Sequence, residues 1–211
     1  MFQPTGPDNP SRSLTEATYA RIRADIVACR LAPGSKLKIN DLGQKQAVRE
    51  ALSRLTAEGL ITAEPQRGFH VAPISVADLQ DLTRVRCQIE GACLRSAIQH
   101  GDVPWESQML AALHAMSRTP ATPAGPDGAN PRGHVHAVFH RALVSACDSP
   151  WLLRIREQLY VQSERYRQLS MAKGDRDLDG EHRRIVDAAL ARDADLAVEL
   201  LTQHLNRTAQ A

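Results

Sequence analysis

The 211 residues are 43% apolar and only 4% aromatic, and carry 26 Lys and Arg against 24 Asp and Glu. That length allows one large or two modest domains, each able to bury a core, and the shortage of aromatics disfavours a single-strand nucleic-acid surface built on base stacking. No apolar run approaches membrane-spanning length, the opening MFQPTGPDNPSRS has no signal-peptide core, and the four cysteines form no CxxC pair. The expectation is a cytoplasmic protein with no membrane partner, in which Cys29, Cys87, Cys93 and Cys147 are reduced, buried thiols. Its charge is unevenly placed. Residues 11–73 carry 10 Lys and Arg against 6 Asp and Glu, whereas residues 74–211 carry 16 against 17, so the basic surplus lies in the first third.

In chain order, residues 1–13 read as a loose tail rich in Pro, Ser and Asn. Ser13 with Glu16 predicts a capping box. The helix behind it turns Tyr19, Ala20, Ile22, Ile26 and Val27 toward a core and ends near Arg30. Leu31-Ala32-Pro33-Gly34 reads as a turn, and Leu37-Lys38-Ile39 as a short strand. Residues 47–73, AVREALSRLTAEGLITAEPQRGFHVAP, then combine an amphipathic helix, a glycine stop and a hairpin. Val48, Ala51, Leu52 and Leu55 form its apolar side, leaving Arg49, Ser53 and Arg54 for a partner. Gly59 closes the helix, and Leu60-Ile61-Thr62-Ala63 and Phe69-His70-Val71 read as strands around Pro65-Gln66-Arg67-Gly68. A helix followed by such a hairpin suits a winged helix, in which the helix enters the DNA major groove and the wing touches the backbone beside it. A small α+β piece with no ligand is the plain alternative.

The remainder reads as helical. Ser75-Val76-Ala77-Asp78 opens a long helix to about His100, with Leu79, Leu82, Val85, Cys87, Ile89 and Cys93 on its apolar side. Arg86 stands four before Glu90, a spacing that gives an intrahelical ion pair. Further helices are predicted over 104–116, 134–147, 150–170, 179–192 and 193–207, with a Pro- and Gly-rich loop over 119–133. Arg154, Arg156, Arg165 and Arg167 read as the wet face of a packed helix, and Tyr160 as a residue that reaches a pocket.

Histidines carry the sharpest chemical signal. His136 and His140 are four apart, so both project from one helical face, which Leu143 and Cys147 continue. His182 shares a face with Ile185 and Ala189, and His204 with Ala197 and Leu201. Core histidines satisfied by hydrogen bonds are the plain alternative, but four core-facing imidazoles would each need their own partner, and one divalent metal serves all four. An all-nitrogen set suits Zn²⁺ or Ni²⁺ over Mg²⁺ or Ca²⁺. His134 is out of phase with this face and is left out.

The strings VREALSRLTAEGLI and PQRGFHVAPIS resemble the DNA-binding end of GntR-family transcription regulators. The segment C-terminal to them, including RVRCQIE, resembles the all-helical FCD domain of the FadR-like branch, so the likeness runs from Leu14 to about Arg207. It implies a mostly α fold, an N-terminal winged helix-turn-helix over 14–73 and, after a linker at 74–78, an FCD-type effector domain over 79–207. It also implies a homodimer on double-stranded operator DNA, with Lys45, Gln46, Arg49, Arg67 and Gly68 at the DNA. The effector it implies is a small organic acid bound near a metal, with Arg86 facing the pocket beside Tyr160. The family's metal site resembles one carboxylate with three histidines, and here His136 replaces the usual Asp. A second departure is that only six residues separate Asp41 from Val48, where the family usually has a longer segment with a polar turn. This affects the contacts expected of Lys45 and Gln46, but not those of Arg49 or the wing. Two other functions stay open on the histidines, a metal-dependent hydrolase and a sensor for which the ion itself is the signal. Against the first, Glu181-His182 has no second histidine four residues on, so HExxH is absent, and no serine or cysteine nucleophile motif is present.

Overall fold

The computed structural model describes residues 10–120, 130–169 and 176–210. They form two compact units, the first from residues 1–76 with 164–169 and the second from 77–163 with 170–211.

The first unit contains α1 (Pro10–Val27), β1 (Lys36–Leu37), α2 (Ile39–Leu42), α3 (Lys45–Ala57), β2 (Ile61–Glu64) and β3 (Gly68–Val71). α1 packs on α3 through Ile22, Ile26, Val48, Leu52 and Leu55, all fully buried. The strands form an antiparallel sheet in the order β1-β3-β2, and Ile61 pairs with Val71 at the base of the wing while Glu64 pairs with Gly68 at its tip. Gly59, at φ 72°, closes α3 as the sequence predicts. Its N–H bonds the Thr56 carbonyl and that of Leu60 reaches Leu55, both at 3.0 Å, the paired bonds of a left-handed helix end. At the wing tip Gln66 and Gly68 both take positive φ, so the turn needs a residue with little steric penalty there.

Several expectations for this unit are corrected. Residues 1–9 of the predicted tail lie outside the described residues, while Pro10–Ser13 already belong to α1, so Ser13 is inside the helix and does not cap it. β1 lies one residue early, and Ile39 starts α2 instead of ending a strand. The short segment after Asp41 has a structural counterpart: α2 is one turn of four residues, and Gly43 at φ 130° leads almost directly into α3. Arg21 donates to the Leu42 carbonyl, tying this abbreviated support to α1. Arg54 is exposed, as expected, but it is already engaged within the unit: it bonds Glu16 at 2.7 Å and lies 3.9 Å over the Tyr19 ring. Arg165, expected on a wet face, is buried in this unit and donates to the Ala72 carbonyl.

The second unit is built from α4 (Val76–His100), α5 (Val103–Arg118), α6 (Pro131–Leu143), α7 (Pro150–Leu169) as far as Ser163, α8 (Leu178–Leu190) and α9 (Ala194–Gln210). Leu94, Met109, Met116, Phe139, Leu143, Ile185 and Leu201 fill its core. Helix starts obey the capping rules: Asp102 accepts from the Trp105 N–H, Asn130 from Gly133 and Asp177 from Gly180. Of the loop expected over 119–133, residues 121–129 lie outside the described residues, and 131–133 are already helix, since Pro131 comes directly after the Asn130 cap. α6 also stops at Leu143, so Cys147 is buried beyond the helix and not on its face. The buried side of α4 differs from the predicted one: it carries Thr83, Arg86, Glu90, Gly91, Cys93, Leu94, Ala97 and Ile98, while Leu79, Leu82, Val85, Cys87 and Ile89 are only half-buried. On α7 Arg156 is buried as well, against expectation. No described helix is long and apolar enough to cross a membrane.

Candidate metal centre and nucleic-acid interface

Three helices of the second unit bring His136 and His140 (α6), His182 (α8) and His204 (α9) together, with one ring nitrogen of each within 4.8 Å of the others. Their register is set from outside the cluster. Arg132, in the first turn of α6, bonds Asp179 in the first turn of α8 at 2.6 Å, which places the two histidine-bearing faces side by side. Phe139 meets the His182 ring edge-on at 4.9 Å and walls the cluster on its apolar side. His140, His182 and His204 are at most 3% exposed, and His136 is half-buried.

One pair of nitrogens is spaced as donors on a metal would be. Nε2 of His140 lies 3.2 Å from Nε2 of His136. Two donors on a tetrahedral ion with bonds of about 2.0–2.1 Å stand about 3.3 Å apart. Both ring nitrogens of His182 are buried without a hydrogen-bond partner, a costly state that an ion taking the lone pair of one of them would relieve in part. Their surroundings keep the rings neutral. Burial pushes His182 down to about 3, helped by the charge of His204. Burial also takes His204 to about 4 against the opposing pull of Glu181, and holds His140 well below its ordinary range, with His136 next in effect. A neutral imidazole is the form that binds a metal.

Sequence reasoning missed the support for this cluster. The Nδ1 of His204 lies 2.8 Å from Oε2 of Glu181. The carboxylate can only accept, so the proton is assigned to Nδ1 and the lone pair to Nε2. Glu181 is held in turn by Arg176 at 2.6 and 3.0 Å and by Arg207 at 3.1 Å. Burial alone would raise its carboxyl, but hydrogen bonds from Arg176, His204 and Arg207 outweigh that and bring it down to about 2. The available signal was that Glu181 shares a helical face with Ile185 and Ala188, a carboxylate where the apolar pattern leads one to expect a hydrocarbon.

Arg86 and Tyr160 are both buried beside the cluster. The Tyr160 ring is 6.3 Å from that of His140, and the Arg86 guanidinium lies 5.1 Å over Tyr160. The Arg86–Glu90 pair expected as one alternative exists, at 3.2 Å, but inside the fold, and Arg86 also donates to Ser163 at 2.8 Å. His134 is exposed and outside the cluster.

In the first unit Lys45, Gln46 and Arg49 stand exposed on the first turns of α3, and Arg67 and Gly68 are exposed at the wing tip. Arg67 makes an exposed 3.1 Å contact with Glu64. The start of α3 has no acidic residue, and the Gln44 side chain makes no cap. Its N–H groups and the positive end of its dipole are therefore open to an anion.

Residues 14–71 match the gntR family of bacterial regulatory proteins, and residues 81–207 match the FCD domain. The HTH-type transcriptional regulator BphR of Paraburkholderia xenovorans (strain LB400) is 42% identical over 205 residues, covering 92% of this chain and 83% of that protein. The HTH-type transcriptional repressor GlaR of Escherichia coli is 33% identical over 198 residues, covering 89% and 90%. Among solved structures, E. coli McbR/YncC superposes with a TM-score of 0.74 over 92% of this chain and 94% of its own, at 20% identity, a likeness of fold. Both sequence relatives are regulators, which removes the hydrolase alternative. This chain therefore belongs to the GntR family, in the branch that joins a winged helix to an FCD domain, and is a DNA-binding transcriptional regulator and not an enzyme.

Proposed function

We propose that this regulator is a homodimer on operator DNA, switched by a small carboxylate that binds beside a divalent metal, zinc or nickel, held by His136, His140, His182 and His204. The observation that carries the reading is the set of four imidazoles from three helices, three of them buried, with ring nitrogens of His182 that no protein group takes up. When bound, the ion supplies a Lewis-acidic centre for a carboxylate oxygen. His204 is presented through Nε2 because Glu181 holds its other nitrogen. A carboxylate suits the neighbourhood, since Arg86 adds a buried positive charge beside His140 and Tyr160. Metal sensing is the second reading, favoured by the fact that four nitrogens already complete a tetrahedral shell without an effector.

At the DNA, Arg49 is assigned to base edges or phosphate in the major groove, Lys45 and Gln46 to the phosphates at the start of α3, and Arg67 and Gly68 to the backbone beside the groove. A two-fold protein reads half-sites spaced by helical turns. The division into a reader at 14–73, a linker at 74–78 and an effector domain at 79–207 belongs to the same proposal, with the last turns of α7 assigned to the reader, where Glu164–Leu169 cluster.

The test is metal analysis of untagged protein, followed by operator binding with metal stripped, restored, and restored together with a panel of small carboxylates. One ion per chain and a carboxylate-dependent change in operator affinity are expected. A change produced by metal alone, insensitive to every acid, would favour the metal sensor. No stoichiometric metal, even after incubation with zinc or nickel, would make these structural histidines.

A further inference from the structure

Two buried arginines share one buried carboxylate beside the histidine cluster. Glu90 is 1% exposed; its Oε1 accepts from Nε of Arg86 at 3.2 Å and its Oε2 from Nε of Arg156 at 3.0 Å. On α7 the partners of this group recur at helical spacing, with Arg156, Tyr160 and Ser163 turned toward Arg86 and Glu90 of α4. One negative charge against two positive ones leaves a net positive charge inside the fold. Glu157 reduces it little, for it is half-exposed, meets Nη1 of Arg156 at 3.4 Å and is shared with Arg141 at 3.3 Å.

The guanidinium of Arg156 is incompletely used. Arg156 is 2% exposed, and its Nη2 is buried with no hydrogen-bond partner. An arginine placed only to neutralise Glu90 gains nothing from an open Nη2, because an unsatisfied charged donor in the interior is among the costliest groups to leave unpaired. The guanidinium of Arg156 stands 5.0 Å from the Tyr160 ring, that of Arg86 5.1 Å from it, and the same ring is 6.3 Å from His140. Thus the metal cluster, Arg86 and the open edge of Arg156 are grouped around one aromatic side chain.

We propose that Arg156 is a second anchor of the effector site, and that the effector is a diacid with one carboxylate at the metal and Arg86 and the other on Nη2 of Arg156. This rests on the reading of the helical unit as an acid-binding site with a metal. An acid with a single carboxylate engages the metal side and leaves Nη2 as it is. A second carboxylate gives that donor its acceptor and offsets the surplus charge, so the added headgroup contributes both a charge-assisted hydrogen bond and charge neutralisation. Arg156 is thereby a specificity determinant, acting on which acid is bound and not on whether the metal is held.

The test uses the full chain loaded with zinc and titrated calorimetrically with unbranched dicarboxylates from malonate to adipate and with the monocarboxylates of equal carbon number. At least one dicarboxylate should bind about tenfold or more tightly than its monocarboxylate counterpart. Arg156→Met should bring the two to within about twofold by lowering dicarboxylate affinity alone, with zinc content unchanged. Arg156→Lys keeps the charge beside Glu90 but loses the planar fork, so it should fold even if the Met variant does not, and should lower the dicarboxylate preference by about fivefold or more. The inference is overturned if the wild type binds monocarboxylates as tightly as every dicarboxylate, or if the Lys variant retains the full preference. If no acid of either kind binds the zinc-loaded protein, the effector reading itself fails, and a monocarboxylate that binds without a dicarboxylate advantage leaves that reading standing while removing this one.

Discussion

The two units place their polar chemistry on opposite sides of their helices. On α3 of the reader, Ala47, Val48, Ala51, Leu52 and Leu55 are buried, and Lys45, Gln46 and Arg49 are exposed. On α4, α6, α8 and α9 of the helical unit the core-facing residues include Arg86, Glu90, His140, Glu181, His182 and His204. A surface that meets a macromolecule can be made of whatever the core does not need, so an amphipathic pattern reveals it by subtraction. A site for an ion and a small anion must exclude water, so its ligands occupy positions on the apolar stripe and replace hydrocarbon there. In the first case a substitution should alter binding and leave the fold alone; in the second it should alter the state of the core itself.

The largest effect on this contrast is expected from His182→Ala. With metal at a thousandfold excess over its dissociation constant, binding stabilises the wild type by about 4 kcal/mol relative to the stripped protein. In the variant one of four donors is gone, and the melting temperature should barely respond to added zinc. An undiminished response in differential scanning calorimetry would separate His182 from the metal and return it to the core as a packing residue.

Glu181→Gln should have a smaller effect on the same observable. Gln can still accept from the His204 N–H but lacks the charge that Arg176 and Arg207 now meet, so zinc affinity should fall about 10- to 100-fold in a chelator competition. Wild-type affinity in this variant would mean that Glu181 serves only to pair the arginines.

Acidification tests the buried site from another direction. In the metal-free protein His182 is brought to about 3 and His204 to about 4, both from 6.5, so the unfolded chain takes up protons before the folded one. Their contribution is therefore fully present above pH 6.5 and is lost as pH falls toward 4 and then 3. Glu181, lowered from 4.5 to about 2, continues the loss below pH 4.5 with the same sign. The melting temperature of stripped protein should be level above pH 6.5 and decline steadily below it. A rise on acidification would show that the histidines are charged and paired in the fold.

The same contrast explains what could be read from sequence. The winged helix was legible because its parts are local: an apolar stripe, Gly59 at a left-handed cap, and Pro65 to Gly68 between two strands each leave a mark within a few residues. The four histidines were legible because each breaks an apolar face at helical spacing. Arg156 and Arg165 were not, since the long helix that carries them has arginine on several faces and periodicity cannot tell a solvated arginine from a buried one. What decides their burial is long-range, Glu90 for Arg156 and the Ala72 carbonyl for Arg165. The pairing of Glu90 with Arg86 was expected, but its burial and its second partner Arg156 were missed, because the i,i+4 spacing already had an adequate surface explanation. Ser13 failed differently: a good capping box was present, but the helix began at Pro10, ahead of it.

The smallest effects are expected at the reader surface, and they divide by kind. Arg49→Ala should weaken specific operator binding by about 1–3 kcal/mol without altering the melting temperature, as loss of a base-edge contact would. Arg67→Ala should act differently, because the wing is assigned to the backbone. Arg67 is 79% exposed and its contact with Glu64 is an i,i+3 pair at the surface, so its removal costs the fold almost nothing. One phosphate contact fewer means one counterion fewer released, and the slope of log affinity against log salt should flatten by about one, equally for operator and for unrelated DNA. Anisotropy titrations of both DNAs across a salt series measure that slope directly. If Arg67→Ala weakened only the operator, or only operators carrying a particular base at one position, the wing would be reading sequence. Its arginine would then belong with Arg49, as a residue that selects DNA and not one that merely holds it.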